Sequence, residues 1–421
     1  MKTLRLFVAS LILVGCGGQG SPFDEASPEV TWHRDVQPLV MEHCGRCHDG
    51  KGVGPGDFTQ YDVSAALSEL MVARIDAGDM PPPTADPECA DYLGSERMTL
   101  TETEKEVFRA WIEAGSPEGS PSDASDDLFQ APTLDNPDLE TYAAAAYVPQ
   151  YLDNNNEYRC FLLDFSPSED VYLTAIEPLI DQIAISHHSV LFMDPSGTAH
   201  TQVTDASTQS WNCPDVIPDI SWLPTYAWAP GNNLIEMPEG FGMRARAGSQ
   251  FVLQMHYFAA SEDAYGTADL PGYAFETADE VDDEIVLLPL GPSGFTIPAG
   301  EADYTVSESY ALGQILGTGL KFYGSFPHMH VLGSRYSFRV EGGLADRCVS
   351  QSDRYDFDNQ PTYWFKEPVS MASDQEIVIE CSYDNTAENP QQMNSPPIDV
   401  FYGERTDQEM CFALLYARLG L

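Results

Sequence analysis

Apolar positions change their rhythm twice along this chain. The first apolar run, Leu6 to Val14, is too short to cross a bilayer. From about residue 29 the spacing becomes helical. Leu67, Leu70, Met71 and Ile75 recur on one helical face, behind Asp62 as a candidate cap. Thr101-Glu102-Thr103-Glu104 reads as a capping box opening a second helix, with Val107, Phe108 and Trp111 on one side and Gly115 as its stop. Beyond about residue 140 the pattern turns to short strands between Pro, Gly, Asn and Asp turns, as in Phe251–Phe258, Glu284–Leu288 and Glu376–Glu380. The stretch GSPEGSPSDASDD at 115–127 has linker composition. These rhythms predict a mixed multidomain protein: a small all-α domain over 29–115, a linker over 116–139, and two all-β jelly-roll sandwiches over 140–280 and 281–421.

Charge narrows the class. The 421 residues carry 66 Asp and Glu against 20 Lys and Arg, a formal charge of −46. Such a surface repels a phosphate backbone, so nucleic acid is excluded as a partner. Lys2 and Arg5 precede the first apolar run, which ends in Leu13-Val14-Gly15-Cys16. That ending resembles a bacterial lipobox and implies a signal peptide over 1–16, lipidation of Cys16 and a membrane anchor made by the lipid. The expected location is the periplasmic side of a membrane or the cell surface, an oxidising place where disulfides persist. Nine cysteines are present. Setting aside Cys16 and the motif below leaves an even number, with the pairing of Cys89, Cys160, Cys213 and Cys348 open.

Cys44-Gly45-Arg46-Cys47-His48 is the C-x-x-C-H pattern of covalent c-type haem attachment: two thioether cysteines one turn apart, then a proximal histidine. Met80, in the rigid Met80-Pro81-Pro82-Pro83 run, is the expected sixth ligand. A Met/His pair suits electron transfer rather than oxygen binding. Together with Arg34-Asp35-Val36, these segments resemble a bacterial cytochrome c domain.

The remaining histidines cluster. His187 and His188 are adjacent, His256 ends a strand candidate, and His328 and His330 flank Met329. Residues i and i+2 of a strand share a face, so His328 and His330 form a two-imidazole clamp. Adjacent His187 and His188 can hold one metal only at a strand end or bulge, or through different ring nitrogens. His256 could complete the first set and Met410 the second. Imidazole with thioether favours copper, Cu(I) above all. Isolated His200 reads as a satisfied core residue.

These motifs resemble the copper type II, ascorbate-dependent monooxygenases that hydroxylate peptidylglycine and dopamine. The resemblance covers 150–421 and rests on His187-His188, on Phe251 to Tyr257, on Pro327-His328-Met329-His330-Val331-Leu332-Gly333, on Cys381 to Asn385, and on Tyr402-Gly403-Glu404 to Glu409-Met410-Cys411. It implies one copper per jelly roll. His187, His188 and His256 would hold the electron-passing copper, and His328, His330 and Met410 the one at which oxygen is used and the substrate hydroxylated. It also implies a Cys381–Cys411 disulfide. Where the peptide-hydroxylating branch holds a substrate carboxylate with Arg, Asn and Tyr, this chain has Phe326, Phe412 and Leu414, so peptide amidation is not expected. The expected function is hydroxylation of a C–H bond of a small organic substrate by O2, with two copper ions and one covalent haem c. The linker would act as a flexible tether letting the haem feed the His187/His188/His256 copper, and an external electron donor would refill the haem. The alternative is a non-catalytic exported electron-transfer or copper-binding lipoprotein.

Overall fold

The computed structural model describes residues 29–50, 54–130, 132–151, 156–213, 218–219, 221–229, 234–258 and 264–420. The signal segment and Cys16 lie outside them. Among the described residues no helix is long and apolar enough to cross a membrane.

Three helical segments pack at the N-terminal end. Trp32, Val36 and Val40 from the first turns, Met71 and Ile75 from Tyr61–Ala77, and Phe108 and Trp111 from Glu102–Glu113 share one small core. Leu70 turns outward instead. Gln60 occupies the N-cap position of the Tyr61–Ala77 helix without a side-chain cap, so Asp62 sits in the first turn, where a carboxylate favours the positive helix end without capping it. Thr101 and Glu104 satisfy each other's backbone amides, and Gly115 takes a positive φ of 88° just past the last helix.

The segment expected to be a loose tether starts out packed. Pro117 accepts from the Trp32 amide at 2.9 Å and the Trp111 indole at 3.0 Å, and Glu118 accepts from the His33 amide at 3.1 Å. Buried indole and amide donors need acceptors, and the chain after Gly115 supplies them.

The rest is β-structure. One core is shared by two sheets. The first has the order Ser210–Asn212, Asn156–Leu162, Gln250–Phe258, Ser186–Asp194, Leu223–Trp228; the second contains Leu139–Tyr142, Gly272–Ala278, Val171–Leu179 and Phe241–Ala245. A second core is shared by Val286–Leu290, Phe412–Leu419, Leu320–His328 and Tyr363–Met371 in one sheet, and Tyr304–Tyr310, Glu376–Tyr383, Gly333–Glu341 and Arg347–Ser352 in the other. The strand expected over Glu284–Leu288 is split: Asp283–Glu284 pairs with Phe241–Gly242, and Val286 opens the next sheet. Ile285, Leu287 and Tyr416 join the first core, so the two halves meet through apolar side chains.

A strap from the helical end lies on the second half. Cys89 is bridged to Cys348. Asp86 donates its amide to Gln351 O, Leu93 to Trp364 O, and Lys366 to Asp91 O, each at 2.8 Å. Ala85 and Tyr92 are buried in the second core. The other disulfides are Cys160–Cys213 and, as the resemblance implied, Cys381–Cys411. Three disulfides suit an extracellular or periplasmic setting.

Candidate metal centre

The first histidine set depends on a bulge. Strand Ser186–Asp194 pairs with Gln250–Phe258, and its register slips between Ser186 and His188, which places His188 opposite His256. The slip lets adjacent His187 and His188 reach one point with His256: the ligand atoms of all three lie within 4.8 Å of one another. The inward nitrogens are the Nδ1 atoms, 3.1 Å apart between His187 and His188 and 3.4 Å between His188 and His256. The outer edge of His256 is tied down, with Nε2 2.7 Å from Asn156 Oδ1 and Tyr158 stacked on its ring at 4.1 Å. Burial pushes all three imidazoles down, His187 to about 4, so they are neutral at pH 7 and ready to donate lone pairs.

The second set sits at a strand end. His328 closes Leu320–His328 opposite Phe412. Its Nδ1 lies 2.7 Å from Gln360 Oε1, and His330 Nδ1 lies 2.9 Å from the Gln408 carbonyl. Both contacts engage Nδ1, the nitrogen that points inward in the first set. Met410 is buried and lines the same cavity as these two rings. Tyr383 Oη donates to its carbonyl at 2.7 Å, and the Cys381–Cys411 bridge follows immediately.

Beneath this set lies a carboxylate the sequence reading missed. Glu409 is fully buried and accepts from the amides of His330 at 2.9 Å, Leu332 at 2.6 Å and Met410 at 3.2 Å. One side chain thus organises both ligand segments. Burial pushes its carboxyl up to about 8. Nothing in the sequence distinguishes it from Asp407 two residues earlier, which pairs with Arg405 instead. Gln360 and Asn156 were equally silent.

The two sets are neighbours. The His188 and His328 rings are 5.7 Å apart, and Phe357 lies against both His187 at 4.8 Å and His330 at 6.1 Å. His188, His328, His330 and Met410 border a cavity of about 70 Å³ between the two β halves, walled by Phe192, Trp228, Phe326, Phe412 and Leu414, with Glu404 as its one acidic lining residue. None of its lining residues is Lys or Arg.

At the helical end, Cys44 and Cys47 stay unbridged while six other cysteines pair. Burial raises the Cys44 thiol to about 12. His48 directs Nδ1 to the Pro55 carbonyl at 3.1 Å and stacks on Phe58 at 4.2 Å. Gly54 lies flush on that ring; a Cβ there would fall 2.5 Å from it. Met80 is 41% exposed and lies outside the apolar core of the helices. His200 is exposed rather than buried in a core, with Nδ1 at 3.1 Å from Gly197 O.

Comparisons with known proteins follow this geometry only in part. No curated protein matches the chain. Solved structures similar to it include infectious bursal virus-derived particles (8% identity, 66% of this chain and 68% of that one, TM-score 0.18) and the infectious bursal disease virus VP2 subviral particle (9% identity, 66% and 70%, TM-score 0.18). Likeness that low carries no argument. Residues 287–417, which hold His328, His330 and Met410, match the C-terminal domain of copper type II ascorbate-dependent monooxygenases, a family of oxidoreductases.

Proposed function

We propose that this protein is an exported copper-dependent monooxygenase that hydroxylates a C–H bond of a small, largely apolar substrate without a carboxylate. The overall change is R–H plus O2, two electrons and two protons, giving R–OH and water. The observation that carries the reading is two unlike donor sets side by side: the Nδ1 atoms of His187, His188 and His256 converge on one point, and His188 lines one apolar cavity with His328, His330 and Met410. This donor chemistry fits copper, since neutral imidazole with thioether stabilises Cu(I) whereas carboxylate-poor sites disfavour calcium or magnesium.

His187, His188 and His256 would hold one ion, and His328, His330 and Met410 the other. When bound, the pair supplies oxygen activation and the two electrons. The protein's own contribution is positional. Glu409 fixes the backbone of both His330 and Met410, and Gln360 and the Gln408 carbonyl set the ring orientation of the second pair. Phe326, Phe412 and Leu414 exclude water and leave no cation to receive a substrate carboxylate. We further propose that Cys44, Cys47 and His48 carry a covalent haem, with Met80 as its other axial ligand, and that this haem supplies the electrons. The free thiols and the Pro55-oriented imidazole support that assignment.

Oxygen uptake by the metal-stripped chain, reloaded with copper or with zinc, tests the reading. Uptake matched by a hydroxylated product is expected only with copper, and for neutral substrates above their carboxylated analogues. Equal activity with zinc, or preference for the carboxylates, would sink it.

A further inference from the structure

The loop over 354–361 touches every part of the proposed chemistry. Tyr355 Oη donates to Met329 O at 2.8 Å and accepts from the Met329 amide at 3.1 Å, clamping the residue between His328 and His330. Phe357 lies on His187 and against His330. Gln360 Oε1 meets His328 Nδ1 at 2.7 Å, while its Nε2 donates to Phe357 O at 2.7 Å. The neighbouring residue, Asn359, faces the other way. Its Oδ1 accepts from Arg46 Nη2 at 3.1 Å, and its Nδ2 donates to Pro83 O at 3.1 Å. Arg46 lies inside the Cys44–His48 motif. At the loop's start, Arg354 donates to Gly78 O at 2.9 Å.

A run of hydrogen bonds and one peptide unit therefore joins the cysteine motif to a metal-facing histidine: Arg46 to Asn359, Asn359 to Gln360, Gln360 to His328. Both ends are anchored. Asn359 and Gln360 are buried, and the Cys89–Cys348 bridge prevents the helical end from leaving the second half.

We infer that this loop is the fixed electron entry of the protein. The haem segment is seated on it rather than swung on a tether, and electrons reach the two histidine sets through it. The inference rests on the haem and copper assignments proposed above. The step is one electron: Fe(II) becomes Fe(III) as Cu(II) becomes Cu(I), with no bond or proton changing hands, and an external one-electron donor restores Fe(II). Asn359 acts as a seat for the haem turn. Gln360 is a positioning residue that fixes the His328 ring. A packed, hydrogen-bonded route suits such transfer because it holds donor and acceptor at one separation, whereas a tether samples many.

The test is stopped-flow reoxidation of the reduced haem in the full copper-loaded chain, paired with copper(II) electron paramagnetic resonance. Arg46→Ala and Asn359→Ala should slow reoxidation about 10- to 100-fold while leaving the copper spectrum as in wild type, and Asn359→Asp, which keeps an acceptor for Arg46, should recover most of the rate. Gln360→Ala should also change the spectrum of one copper, and Gln360→Glu should restore it. Wild-type reoxidation in Arg46→Ala and Asn359→Ala, an unaltered spectrum in Gln360→Ala, or a chain carrying no thioether-bound haem would overturn the inference. Failure of the monooxygenase reading leaves a different mark: copper-dependent haem reoxidation with no hydroxylated product.

Discussion

The two neighbouring histidine sets are assembled by opposite means. In the first half the histidines lie within paired strands, and a bulge brings two adjacent ones to one point through Nδ1. In the second half they lie at and just past a strand end, and a loop and a neighbouring carbonyl engage Nδ1. A bulged strand fixes its ligands through the sheet itself. A strand end needs support, which Glu409, Gln360 and Tyr355 provide. Each half also hides a carboxyl behind its ligands. Asp269 accepts from the hydroxyl of Tyr257, next to His256, at 2.9 Å, and Glu409 accepts directly from the ligand amides. The first set is thus placed mainly by the sheet, with Asn156 and Tyr158 steadying the His256 ring, and the second by side chains that hold the backbone around it and the His328 ring. Their tolerance to substitution should differ accordingly.

The largest effects should follow loss of a ligand. His256→Ala and His330→Ala should each remove one copper ion per chain and abolish turnover, as metal analysis and product formation would show; retention of both ions in either variant would break the assignment. Met410→His should keep its copper but lower turnover by at least about 100-fold, because a nitrogen donor favours Cu(II) where a thioether favours Cu(I). Potentiometry should show that copper's potential falling while the other stays in place.

Smaller effects should separate the supports. Glu409→Gln replaces an acceptor of three amides with a group carrying its own donors, so it should cost about 1–3 kcal/mol of stability and weaken Cu(I) binding at the second site. Denaturant melts and copper competition would measure both. A loss of first-site copper instead would contradict the division between the halves.

The smallest effect is a pH dependence in the first half. Burial raises the Asp269 carboxyl to about 6, above its ordinary value near 3.8. The folded state therefore holds a proton that the unfolded state gives up earlier. That contribution is fully present below about pH 4 and is lost as pH rises through about 6. Asp269→Asn should flatten melting temperature against pH over this window. A wild-type slope retained in the variant would refute the assignment.

Much of the chemistry was legible because it lies in short motifs. C-x-x-C-H, the adjacent histidines and H-x-H are local, and strand geometry alone says that His187 and His188 can meet only at a strand end or bulge, or through different ring nitrogens. The capping box at Thr101 and the strands over 251–258 and 376–380 are local as well. What was hidden joins distant residues. Cys89 and Cys348 are 259 positions apart, and Arg46 and Asn359 are 313 apart. Neither pair leaves a periodic trace, so a Ser- and Pro-rich stretch read as a free tether while the strap at 85–93 already bound the helical end to the second half. Glu409 was hidden for another reason: a buried acid and a surface acid are the same letter until the fold buries one of them.

Copper-edge X-ray absorption of the fully reduced chain decides whether two unlike copper sites lie side by side. The wild type should show sulfur beside nitrogen in the averaged copper shell. Met410→Leu should lose the sulfur and keep the nitrogen contributed by His187, His188 and His256. Sulfur scattering unchanged in Met410→Leu, or an all-nitrogen shell in the wild type, would contradict the pair of unlike sites.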